Sequence, residues 1–158
     1  MIFLTSGHKR TKGQALVEMA FGLFVLVLLV FGITEFGRAL YTKNTLTNAA
    51  RAGARQAVVT KGLTNTSGLI KLNCSAVCPP GAGDDPNGCV YQAICNSLFS
   101  GIDKNQVQVS ISGGTNSNVG QTNDTITVEV DYSGFRSVVP NLIPIRNVLT
   151  ASAAMRFE

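Results

Sequence analysis

Gln14-Ala-Leu-Val-Glu18-Met-Ala-Phe-Gly-Leu-Phe-Val-Leu-Val-Leu-Leu-Val-Phe-Gly-Ile33 is the stretch whose reading decides the fold. From Ala15 to Ile33 it counts 19 residues. At ~1.5 Å per residue that is about 28 Å of helix, close to a hydrocarbon core of about 30 Å. A helix buried in a soluble core is the competing reading. An all-round apolar surface with Lys9, Arg10 and Lys12 on one flank only fits a membrane span better. By the positive-inside rule those basic residues place the N-terminus in the cytoplasm and send the rest of the chain across. Glu18 stands at the head of the run. A carboxylate costs ~2.5–3.5 kcal/mol at mid-bilayer and less near the interface, so a chain that keeps one there has a use for it.

A cleavable secretory signal competes for the same residues and needs an A-x-A-like site just after the apolar run. Thr34-Glu35-Phe36-Gly37-Arg38 offers none. The helical pattern instead continues. No Pro interrupts 38–60, and Leu46, Ala50, Gly53 and Ala57 recur at helical spacing as a stripe of small residues that admits a close neighbour. One helix is therefore expected from Gln14 to Val59, about 70 Å long at ~1.5 Å per residue, half in lipid and half outside. Gly62 and Asn65-Thr66-Ser67-Gly68 end it.

Residues 61–88 read as loop, dense in Pro79, Pro80, Gly81, Gly83, Pro86 and Gly88. A short amphipathic helix follows from Cys89 to Phe99, with Val90, Ile94 and Leu98 on one side and a stop at Gly101. The last third changes to period two. Val107, Val109 and Ile111 alternate with polar residues, as do Ile126, Val128, Val130 and Tyr132, and then Leu149, Ala151, Ala153, Met155 and Phe157. These are three half-buried strands. Gly113 to Asp124 forms a long polar hairpin loop, and the Pro140–Pro144 region interrupts the chain before the third strand. The expected fold class is α+β: a long N-terminal helix, spanning the membrane in its first half, on a small antiparallel sheet of about three strands. The expected domains are a leader at 1–13, a transmembrane and assembly helix at 14–36 and an exported domain at 37–158. Within the last lie a helix extension (37–60), a Cys-bearing loop and short helix (61–101) and the sheet (105–158).

Cys74, Cys78, Cys89 and Cys95 all fall in the exported part. An oxidising compartment favours two disulfides, with three pairings open. A zinc site is the weaker reading, because the spacing is irregular and no His is near. The net charge of +4 is no nucleic-acid signal, since removing 1–13 takes away three of the 13 Lys and Arg and leaves about +1. His8, the single histidine, lies in the leader. Without it no Ser-His-Asp triad, Cys-His pair or histidine-ligated metal can form, and neither a P-loop nor a G-x-G-x-x-G is present. Asp84-Asp85 reads as a solvated turn, and Glu129 and Asp131 as solubilising residues on a polar strand face. No enzyme and no cofactor is expected. Glu35 and Arg38, three apart on the helix, form an interfacial ion pair and a candidate inter-helix contact.

The order of basic leader, Gly13, four residues, Glu18 and apolar helix resembles a type IV-pilin-type leader. Gly13-Gln-Ala-Leu-Val-Glu18, Gly32-Ile-Thr-Glu-Phe-Gly-Arg38 and Asn48-Ala-Ala-Arg-Ala-Gly-Ala-Arg55 together resemble the TadE/TadG-like family. Leu149-Thr-Ala-Ser-Ala-Ala-Met-Arg-Phe-Glu158 resembles that family's final strand. The family comprises minor pilins or pseudopilins of the tight-adherence (Flp) pilus, a branch of the type IV filament superfamily. The resemblance implies a cut by a prepilin peptidase between Gly13 and Gln14. It further implies Glu18 as the carboxylate that neutralises the N-terminal amine of a neighbouring pilin subunit, and handling by an inner-membrane assembly platform. Met19 departs from the major Flp pilins, which usually carry an aromatic after that Glu. With the globular domain, this favours a minor subunit. The implied location is the bacterial inner membrane, single-pass, with a periplasmic C-terminal domain. A single-pass periplasmic binding or adhesion module that never enters a filament is the alternative.

Overall fold

The structure, a computed structural model, describes residues 11–66, 68–79, 81, 84–113, 118–119, 125–136 and 148–156. Lys9, Arg10, His8, Phe157 and the Pro140–Pro144 region lie outside them, as does most of the Gly113–Asp124 loop. The chain divides into two units, Met1–Arg38 and Ala39–Glu158.

Helix α1 runs Thr11–Val59 without a break, 49 residues. It starts three residues before the expected Gln14, because adding a turn to an existing helix costs little once it is nucleated, even with Gly13 inside it. In the first unit, every large apolar side chain from Leu16 to Ile33 is at least 40% exposed. Thr34 donates its hydroxyl back to the Val30 carbonyl at 2.9 Å, so even this polar side chain is satisfied within the helix. Among the described residues one helix is long and apolar enough to cross a membrane, with a mean hydropathy of 2.7 over its most apolar window.

The second unit is an α+β domain. Here α1 turns from exposed to core-forming: Leu46, Ala49, Ala50, Ala54 and Ala57 are completely buried. They lie against an antiparallel sheet of order β2-β3-β5-β6, with β2 at Ile70–Lys71, β3 at Val107–Gly113, β5 at Thr125–Tyr132 and β6 at Leu149–Arg156. The period-two pattern sets the register. Val109 faces Val130, Ile111 faces Val128, and Val130 faces Ala151 across β6. One slip would turn these buried residues to solvent. The expected three strands are therefore present with a fourth, β2, added at the edge. Leu72 and Thr66 donate their backbone N–H groups to Val107 and Ile111 of β3 on either side of it.

A second, two-stranded sheet pairs β1 (Leu63–Thr64) with β4 (Asn118–Val119). These strands fall in stretches read from sequence as loop, because two-residue strands carry no usable period. Helix α2 runs Gly88–Ser97, ending before the expected Gly101, since Leu98 is already extended (φ −80°, ψ 131°). Its buried side carries Val90, Tyr91, Ile94 and Cys95.

The stripe of small residues on α1 has a measurable reason at Gly53. A Cβ there would stand 2.8 Å from Ile94 Cγ1 and 3.3 Å from Val128 Cγ1, so α1 meets both α2 and β5 at this point. Alanine would gain ~1 kcal/mol of helix propensity, and overpacking a tight core costs ~1–3 kcal/mol. The second effect wins as the side chain grows. Gly53→Val is expected to lower stability by ~3 kcal/mol and by more than Gly53→Ala, read from urea unfolding of the full chain in detergent. A Gly53→Val chain as stable as the parent would contradict the close approach.

Candidate functional site

Two regions carry the residues singled out from sequence: the start of α1, and the cysteine-bearing segment with α2. Gly13, Gln14 and Glu18 all lie in the first turns of α1. Gln14 and Glu18 are exposed and, four apart, share one side of the helix. Glu18 has no ion-pair partner among the described residues. Around it Leu16, Val17, Met19 and Phe21 are each 70–72% exposed. A carboxylate is thus set into an apolar helical surface. A charge so placed is expensive alone and much cheaper beside a cation.

Glu35 and Arg38 meet at 3.5 Å. Their environments differ sharply. Glu35 is 4% exposed, whereas the Arg38 side chain is 48% exposed. The sequence placed both at a wet interface and gave no sign that the carboxylate would be covered. Burial raises the worth of a pairing cation, because an isolated buried carboxylate costs several kcal/mol.

The four cysteines pair as nested disulfides, Cys74–Cys95 outside and Cys78–Cys89 inside, with Cα–Cα distances of 5.7 and 4.7 Å. No described cysteine is free. Both bonds tie the 74–78 segment to α2, where Cys89 and Cys95 are buried. Each bond contributes ~2–4 kcal/mol by restricting the unfolded chain. A Cβ on Gly88 would run into the Val77 carbonyl, so glycine at the head of α2 is what lets the inner loop close against it. Asp84 and Asp85 do form a turn: Gly81 N–H donates to Asp84 Oδ2 at 2.8 Å and Asn87 N–H to Asp85 Oδ1 at 2.9 Å. Among the described residues no group of three or more His, Cys, Asp or Glu could hold a metal ion.

Asn87 escaped the sequence reading, having no periodic or motif signal. It is 3% exposed and clamps β1 to α2. Thr64 N–H donates to its Oδ1 at 3.2 Å, and its Nδ2 donates to the Thr64 carbonyl at 3.1 Å. The same Nδ2 reaches the Tyr91 hydroxyl oxygen at 3.4 Å. On the sheet, Asp131 is half-buried and its Oδ1 lacks a hydrogen-bond partner among the described residues, so it is less solvated than a plain surface carboxylate.

A family model described as TadE-like protein matches residues 13–55, so over that segment the chain is similar to this family. No curated protein and no solved structure matches the chain. The match covers Gly13, Glu18, Glu35, Arg38 and the small-residue stripe through Gly53. The disulfide segment and the sheet lie outside it.

Burial pushes the Tyr91 phenol above its ordinary 10.0; the Asn87 hydrogen bond opposes this and the Asp85 charge adds to it. The neutral phenol is therefore favoured by folding. Its contribution is complete below about pH 10 and is lost as pH rises through the higher folded pKa, because the unfolded chain releases this proton first. Tyr91→Phe is expected to make the alkaline loss of stability shallower. At neutral pH it should cost no more than ~1 kcal/mol, since Asn87 keeps its Thr64 partners. Urea midpoints measured from neutral to strongly alkaline pH test this. Parallel curves for the two proteins would contradict it.

Proposed function

We infer that this chain, similar to the TadE-like family over residues 13–55, is a Tad-pilus-associated subunit: a minor pilin or pseudopilin that helps assemble, initiate or cap a thin filament or related secretion apparatus. The observation that carries the reading is Glu18 on an uncovered apolar helix, four residues beyond the Gly13–Gln14 bond. In this reading the prepilin peptidase cuts after Gly13. Gln14 becomes the N-terminus and 14–36 remains as the transmembrane and assembly helix.

The charge arithmetic supports it. In a packed helical bundle the new amine and a neighbouring subunit's Glu18 carboxylate each offset the cost of burying the other. Fourteen large apolar side chains exposed between Leu16 and Ile33 supply the surface such a bundle needs, first to lipid and then to other subunits. The N-terminus is cytoplasmic and residues 37–158 are periplasmic, where the two disulfides form. Partners are other pilin subunits, the peptidase, the inner-membrane assembly platform and membrane lipid. A membrane-anchored periplasmic module is the second reading, favoured by the independent core and disulfides of the second unit. Such a module has no use for Glu18.

Glu18→Ala separates the two. Removing an intramembrane charge eases insertion, so processing and membrane extraction should stay normal. Co-purification with the other filament subunits should fall at least about tenfold, the equivalent of ~1.4 kcal/mol. Glu18→Gln keeps shape and hydrogen bonding and should be partly tolerated. Unchanged co-purification and normal filaments with Glu18→Ala would overturn the pilin reading in favour of the anchored module.

A further inference from the structure

The nested disulfides pair the first cysteine with the last and leave both short-range pairs unjoined. Cys74 reaches Cys95 across a separation of 21 and Cys78 reaches Cys89 across 11. Cys74 and Cys78 are only four apart in the sequence, and Cys89 and Cys95 six. In an unfolded chain the short pairs have the advantage. By loop length alone, Cys74 finds Cys78 about tenfold more readily than Cys95. The direction of export adds to this. With the N-terminus held in the cytoplasm, residues cross in order, so Cys74 and Cys78 meet the oxidising side before Cys89 and Cys95.

The folded domain demands the opposite. Cys89 and Cys95 both lie on α2, Gly88–Ser97. At ~1.5 Å per residue they stand about 9 Å apart along its axis, and a disulfide needs Cα atoms within ~7 Å. A Cys89–Cys95 bond and α2 therefore exclude each other. While that bond persists, Val90, Tyr91 and Ile94 cannot take their places in the core. Loop length favours one pairing, and the core favours another.

We propose that this chain is a substrate of a thiol–disulfide isomerase in the compartment it is exported to, which converts Cys74–Cys78 and Cys89–Cys95 into the native pairs. The isomerase thiolate attacks the Cys78 sulfur, forms a mixed disulfide and frees the Cys74 thiolate. Cys74 attacks the Cys95 sulfur, forming Cys74–Cys95 and freeing the Cys89 thiolate. Cys89 then attacks the Cys78 sulfur, forming Cys78–Cys89 and returning the isomerase thiolate. Each step breaks one S–S bond and makes one, so the rearrangement consumes neither oxidant nor reductant. It precedes the docking of α2, because Cys89 and Cys95 are buried in the folded domain. The proposal rests on reading 37–158 as periplasmic.

The test uses the full chain, expressed in bacterial cells that contain or lack the periplasmic isomerase. Free thiols are alkylated, and fragments cut between 74 and 78 and between 89 and 95 are identified by mass spectrometry. Without the isomerase, the native Cys74–Cys95 and Cys78–Cys89 fragments should fall about tenfold, the loop-length bias, while Cys74–Cys78 accumulates. Replacing Cys74→Ala together with Cys95→Ala leaves one possible pair, Cys78–Cys89, which should form equally in both strains. Native pairing of the parent chain that is the same in both strains would overturn the proposal. Equal dependence of the double variant on the isomerase would do so too, since a single pair leaves nothing to rearrange. Four alkylated thiols in both strains would mean that the domain is not exported, which removes the periplasmic reading and the proposal together.

Discussion

Helix α1 has to satisfy two different surroundings in succession without interrupting its backbone. From Met19 to Ile33 its side chains are apolar in every direction, and only a continuous helix keeps each backbone N–H and C=O paired in hydrocarbon. From Leu46 to Ala57 the same helix closes a protein core and exposes a polar side. The rest of the second unit follows from that second task. A helix that offers mostly alanine and glycine to the core brings little volume of its own, so the sheet and α2 must come close and supply the bulk. Val109, Ile111, Val128, Val130, Tyr91 and Ile94 do so, all at 1% exposure or less.

Between α1 and β3, Leu63, Leu72, Val90, Tyr91, Ile94, Leu98 and Ile102 join the core. The nested disulfides and the Asn87 clamp add to that burial. The division of labour is physical. Burial fixes the sheet against α1, covalent bonds fix the 74–78 segment against α2, and the buried Asn87 amide joins the pairing with β4 and the burial of Leu63 in holding β1. Gly13 and Glu18, proposed for processing and assembly, belong to the other unit.

Strong periodicity was readable. The alternation in Val107–Ile111 and Ile126–Tyr132 located two central strands and their buried faces, and Leu46, Ala50, Gly53 and Ala57 marked the side of α1 that packs. Strands of two residues were not readable, because Ile70–Lys71 and Leu63–Thr64 are held by pairing rather than by pattern. The disulfide pairing was equally hidden, since spacing leaves three arrangements open until the fold brings Cys74 to Cys95. Of the candidate site, Gly13 and Glu18 were singled out through their order relative to the apolar run, and the structure places both in the first turns of α1. The burial of Glu35 was not, because a three-residue spacing to Arg38 does not report it.

The central claim is that the apolar half of α1 stays in the mature protein, with its new amine four residues from Glu18. Sequencing the N-terminus of the chain extracted from membranes tests this most directly. A mature chain that begins at Gln14 is the expected result, and one that begins beyond residue 33 would contradict it.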